Sequence, residues 1–131
     1  MFSEPSSKIT EGVRVAVRTA WLEERSSFAN GHFVFAYKVQ IYNESPQQVQ
    51  LLRRKWIITD AVGRVRVVSG DGVIGEQPVL LPGESHEYIS GCDFQTPIGH
   101  MTGYYYMVRP DGSSLRVRIP DFTMSVPHLL N

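Results

Sequence analysis

The sequence predicts an all-β chain folded as a sandwich of seven to eight antiparallel strands, with a small barrel as the alternative closure. Three observations carry that prediction. Apolar residues recur with a period of two, as strands with one buried and one wet face require. Clusters of Gly, Pro, Asn, Asp and Ser punctuate the chain at short, regular intervals. No stretch keeps the 3.6-residue period of an amphipathic helix.

The elements follow in order. In GVRVAVRTAWL, Val13, Val15 and Val17 share one face, with Arg14 and Arg18 on the other. Asn30-Gly31 marks a turn with positive φ. In HFVFAYKVQIYN, Phe33, Phe35, Tyr37, Val39 and Ile41 face one way, while Lys38 and Gln40 point away. The segment NESPQQ separates this strand from VQLLRRKWIITD, which is apolar in both registers at its ends and reads as a central or bulged strand. DAVG is a short hairpin before RVRVVSG, and Pro82-Gly83 fits the centre of a type II turn. The aromatic-rich HMTGYYYMVRP and the alternating SLRVRIP, joined by RPDGSS, complete the set.

At 131 residues the chain has the size of one domain, and 42% hydrophobic content is enough for a core. The expectation is a single domain over 1–131, with residues 1–11 a flexible N-terminal tail. The formal net charge is zero, so no bulk attraction to nucleic acid or to an anionic membrane is expected. One cysteine, Cys92, precludes an internal disulfide and a Cys-rich zinc site. The polar start, MFSEPSSKITEG, lacks the apolar run of a signal peptide, which points to the cytoplasm. On that reading Asn43-Glu44-Ser45 is a chance match to a glycosylation acceptor.

Gly70, Gly72 and Gly75 have the G-x-G-x-x-G spacing of a pyrophosphate cradle. In a dinucleotide fold that loop opens a helix whose N-terminus meets the phosphates. Here EQPVLLPGE follows, and Pro78 and Pro82 forbid such a helix. What survives is a glycine-rich turn whose N–H groups form an anion nest, with Arg64 and Arg66 supplying charge, or simply a tight connection.

The segments WIITD (Trp56–Asp60), GDGVIGEQPVLLPGE (Gly70–Glu84), YISG (Tyr88–Gly91), TPIGHMTGYYYM (Thr96–Met107) and IPDF (Ile119–Phe122) together resemble the ApaG family, from about Val13 to Phe122. The resemblance implies an immunoglobulin- or fibronectin-III-like β-sandwich in a small bacterial protein. It implies links to diadenosine tetraphosphate hydrolysis, to cobalt and magnesium handling and, through related eukaryotic domains, to protein interaction. It also implies pyrophosphate binding at Gly70, Gly72 and Gly75. A basic residue often precedes the first glycine in the family; here that position is Ser69.

Catalytic constellations are weak. Ser85 and His86 are adjacent and would point to opposite faces of a strand. Cys92 with His86 or His100 needs the fold to join them, and a lone cysteine reads as a small hydrophobe. The chain reads as non-enzymatic and cofactor-free. His32, His86, His100 and His128 are scattered without ligand spacing, so no metal site is assigned. Divalent-metal binding near His86 stands as the third reading. The run Arg53-Arg54-Lys55 is divided between two faces by the strand, which disfavours nucleic acid. The preferred reading is a non-catalytic module that binds a protein partner, with Tyr104 and Tyr106 as an outward aromatic patch. The second is weak binding of a pyrophosphate-containing nucleotide at Gly70–Gly75. Leu129 and Leu130, or exposed strand edges, offer a route to a homodimer.

Overall fold

The computed structural model describes residues 1–127. His128, Leu129 and Leu130 lie outside the described residues. The described residues form nine strands: β1 (Ser6–Thr10), β2 (Val13–Trp21), β3 (Phe33–Asn43), β4 (Val49–Asp60), β5 (Val65–Asp71), β6 (Val79–Leu80), β7 (Ser85–Phe94), β8 (Ile98–Val108) and β9 (Ser114–Ser125). Among them a 3₁₀ turn covers Glu23–Arg25. One sheet has the order β1-β2-β3-β7; the other has the order β5-β4-β8-β9, with β6 also paired to β4. All pairings are antiparallel. The two sheets pack face to face as a sandwich, as expected.

Alternation in the sequence becomes alternation in burial. Along β3 every second residue from Phe33 to Asn43 is buried. The core joins Val13, Val15 and Val17 of the first sheet to Trp56, Met107, Val117 and Ile119 of the second. Trp56 sits with its ring 5.2 Å from Tyr37 and 6.0 Å from Phe122, both edge-on. Strand β4 is both central and bulged, its register shifting between Leu51 and Arg53.

Nine strands exceed the expected seven or eight because β1 and β6 carry no alternation to read. The flexible tail expected over residues 1–11 gives way to an ordered edge. Residues 6–10 pair with β2 from Ser6↔Val17 to Thr10↔Val13. The Ser3 N–H also donates to the Thr19 carbonyl at 2.8 Å. The correction has a simple cause. An edge strand is held by main-chain hydrogen bonds, so SSKIT needs no buried face to join the sheet.

Turn chemistry holds the hairpins. The N–H of Glu84 closes on Leu81 at 2.9 Å over Pro82 and Gly83, and Gly83 has φ +87°, as a type II turn demands. At the β4–β5 turn, desolvation works to raise the Asp60 carboxyl. The N–H groups of Arg64 and Val62 (2.9 and 3.0 Å) and the Arg64 guanidinium (2.6 Å) outweigh it and hold the carboxyl below the ordinary range. At the β8–β9 turn, the hydroxyl and N–H of Ser113 (2.6 and 2.9 Å) lower Asp111 in the same way. Asn43 is fully buried. Its amide donates to the carbonyls of Gln47 and Leu80, both at 2.8 Å, so it ties three segments together.

Candidate functional site

The glycine segment is a connection between strands, and its glycines have three separate reasons. Val73 and Glu76 exchange both main-chain hydrogen bonds (2.8 and 3.0 Å) across Ile74 (φ +48°) and Gly75 (φ +75°). Two successive positive φ angles make this a two-residue hairpin loop of the mirror-image type. Gly72 has φ +62°, and a Cβ there would collide with the Glu76 carbonyl oxygen. Gly70 leaves room for Arg54, since a Cβ would lie 2.9 Å from both terminal guanidinium nitrogens.

Arg54 donates from Nη1 to the carbonyls of Asp71 (3.0 Å) and Gly72 (2.9 Å). The N–H of Gly72 goes to Leu52, and those of Val73 and Glu76 go to each other's carbonyls. The segment therefore turns carbonyls toward a cation and commits these three N–H groups internally. An anion nest has the opposite polarity.

Arg64 and Arg66 are not brought to the glycines. The β4–β5 register places Gly70 opposite Arg54 and Arg66 opposite Ile58, four residues and about 13 Å further along. Arg64 binds Asp60 and the Gln95 side chain, each at 2.6 Å. Arg66 crosses to the other sheet, where it donates to the Asp93 carbonyl and to Cys92 Sγ (3.3 Å). The arginine that meets the glycines is Arg54, whose inward parity follows from Trp56 and Ile58 on the same face of β4.

Strands β5 and β7 end their respective sheets. A cavity of about 210 Å³ lies there, lined among others by Tyr37, Arg54, Arg66, Ser90 and Cys92. Burial pushes the Cys92 thiol up against the opposing pull of Arg66. His100, one expected partner of Cys92, is on β8 in the other sheet, and His86 is six positions away along β7. Ser85 and His86 pair with Tyr42 and Ile41, hence on opposite faces. His86 Nε2 lies 3.6 Å from Glu76. Among the described residues no three His, Cys, Asp or Glu side chains gather to hold a metal ion.

The tyrosines of β8 divide as parity requires. Tyr105 is fully buried, and its hydroxyl hydrogen-bonds that of Tyr88. Burial pushes both phenols upward. Tyr104 and Tyr106 lie partly buried on the outer face of the sheet. Registers on both sides complete that face: Lys55–Tyr104–Arg118 form one row and Arg53–Tyr106–Arg116 the next. The Arg116 guanidinium lies 4.5 Å from the centre of the Tyr104 ring, and that of Arg118 lies 5.7 Å away. The split of LRRKW between faces holds for Arg54. What the local pattern misses is that Arg53 and Lys55 share their face with Arg116 and Arg118, which needs the β4-β8-β9 order. No helix among the described residues is long and apolar enough to cross a membrane.

Comparison with known proteins agrees with this architecture. Residues 23–109 match the family model described as the ApaG domain. The chain is 49% identical over 122 residues to Protein ApaG of Paramagnetospirillum magneticum, covering 93% of this chain and 94% of that one. It is 45% identical to Protein ApaG of Vibrio cholerae, covering 91% and 94% of the two chains. A crystal structure described as an ApaA protein from Bordetella pertussis superimposes with a TM-score of 0.86 at 41% identity, covering 93% and 96%.

Proposed function

The chain belongs to the ApaG family, and on that premise we propose that it is a non-catalytic binding module that docks a protein partner on the outer face of β4, β8 and β9. One observation carries the reading. Tyr104 and Tyr106 stand side by side on the solvent side of β8, while Tyr105 alone fills the core. Two large aromatics there contribute little to folding and much to a contact, since tyrosine anchors are enriched where interfaces concentrate their energy. The rings sit on a strand bonded on both sides, so they are held rigidly and lose little freedom on binding. At the glycine segment, by contrast, the N–H groups of Gly72, Val73 and Glu76 are already committed.

The test is site-specific photo-crosslinking in the intact chain, with p-benzoylphenylalanine replacing Tyr106 or, on the opposite face of the sandwich, Tyr42. A discrete adduct from position 106 that weakens in a Tyr104→Ala background, with none from position 42, is the expected result. Equal labelling from both positions, or none from either, overturns the reading.

A further inference from the structure

We infer that the partner segment seated on this face is acidic and extended, with carboxylates on alternate residues. This rests on the docking reading above and adds the partner's chemistry. The chain is neutral overall, with 13 basic and 13 acidic residues. Its charges are nevertheless segregated. Arg53, Lys55, Arg116 and Arg118 all project from the outer face of the second sheet. Among the described residues, the single carboxylate within 4 Å of any of them is Asp71, 3.7 Å from Arg53 and 83% exposed. Asp121 lies further along β9, within the register shift between Ile119 and Phe122, and forms no ion pair with them. The nearest turn acids are committed elsewhere, Asp60 to Arg64 and Asp111 to Ser113. Elsewhere on the surface Arg14 pairs with Glu44, Lys38 with Glu87 and Arg109 with Glu11, while none of the ion pairs among the described residues involves Lys8, Arg18 or Arg25.

The spacing of the four cations selects the occupant. Strands β4 and β9 flank β8, so the two cationic columns stand about 9.6 Å apart with the tyrosines between them. Within each column the charges are two residues apart, about 6.7 Å. An extended chain lying along β8 presents every second side chain to the same side at that interval, so carboxylates on alternate residues meet both rows. Strands β4 and β8 are paired on both sides in the ladders, so a segment lying over them is read by side chains and not by strand addition. The guanidinium of Arg116 rests on the Tyr104 ring, which fixes its plane and leaves its N–H edge for a bidentate carboxylate. The same stacking occupies a face of the Tyr104 ring that a base of single-stranded nucleic acid would need.

The experiment is an amide NMR titration of the full chain with three probes: a peptide of alternating Glu and Ser, the same peptide with Gln for Glu, and a thymidine oligonucleotide of similar length. The Glu peptide is expected to give saturable shifts confined to β4, β8 and β9. Its affinity should fall about tenfold or more in the Arg116→Glu, Arg118→Glu variant, and steeply between about 50 and 300 mM salt. Lys38→Glu on the other face should leave it within about twofold. Equal binding of the Gln peptide, shifts spread over both faces, or tighter binding of the oligonucleotide overturns the acidic assignment. An Arg116→Gln, Arg118→Gln variant, confirmed as folded by its urea midpoint, guards against misfolding and should still weaken the Glu peptide. The two readings fail separately. If the position-106 adduct persists undiminished in the Arg116→Glu, Arg118→Glu background, docking stands and the acidic chemistry falls. If no such adduct forms at all, the docking reading itself is lost.

Discussion

The two outer faces of the sandwich handle charge in opposite ways. On β1-β2-β3-β7, Arg14 meets Glu44 at 3.0 Å, Lys38 meets Glu87 at 3.7 Å and Arg18 donates to the Ser3 carbonyl at 3.1 Å, so these outward cations are each engaged within the molecule. On β5-β4-β8-β9, four cations crowd around two tyrosines with one exposed carboxylate near them. Each such cation can be solvated by water, so neither arrangement is needed to fold the chain. The difference therefore separates a face that is finished within the molecule from one that is left open.

The largest effect that tests this division lies within β8 itself. Tyr105→Ala should destabilise the fold by about 3–5 kcal/mol, through the cavity it leaves and the orphaned Tyr88 hydroxyl. Tyr104→Ala should cost less than about 1 kcal/mol. Urea midpoints at unchanged slope measure both. A Tyr104 loss as large as that of Tyr105 would make the outer tyrosines structural and close the comparison.

Next comes acid. Asp60 and Asp111 are held below the ordinary value by their turn hydrogen bonds. A carboxylate with a depressed folded pKa stabilises above its unfolded pKa, about 3.9, and that contribution is lost as pH falls through the folded value. The urea midpoint should therefore drop as pH goes from about 5 toward 3, and less so in Asp60→Asn, Asp111→Asn. An unchanged drop would mean that these acids are not locked in the turns and remain free to neutralise the open face.

The smallest effect is the most direct. Arg116→Gln with Arg118→Gln should leave stability unchanged or raise it by less than about 0.5 kcal/mol at low salt, by relieving like-charge repulsion. Arg14→Gln should lower it, because that guanidinium has a carboxylate partner. Two changes of the same sign would show that the faces do not differ.

Much of this is legible in the sequence because burial in a sheet has a period of two. Phe33 through Ile41, the outward pair Tyr104 and Tyr106, and the turn at Pro82-Gly83 all follow from local pattern. Strand β1 is not legible because main-chain pairing leaves no mark in SSKIT. Arg64 and Arg66 look close to the glycines because chain distance along a strand understates spatial distance. The charged face is hidden for a related reason. Its columns come from residues 53–55 and 116–118, and nothing local says that β4 and β9 flank the same strand.

The buried amide of Asn43 carries a consequence for how the protein ages. Spontaneous deamidation requires the next residue's backbone nitrogen to attack the asparagine side chain. Here the Glu44 N–H is bonded to the Gly12 carbonyl at 2.8 Å, and both amide protons of Asn43 are engaged. The folded chain thus shields its own weak point, and conversion of this side chain to an aspartate would set a carboxylate against two carbonyl oxygens. A slow gain of one mass unit at Asn43 becomes a clock that runs only while the latch around it is open.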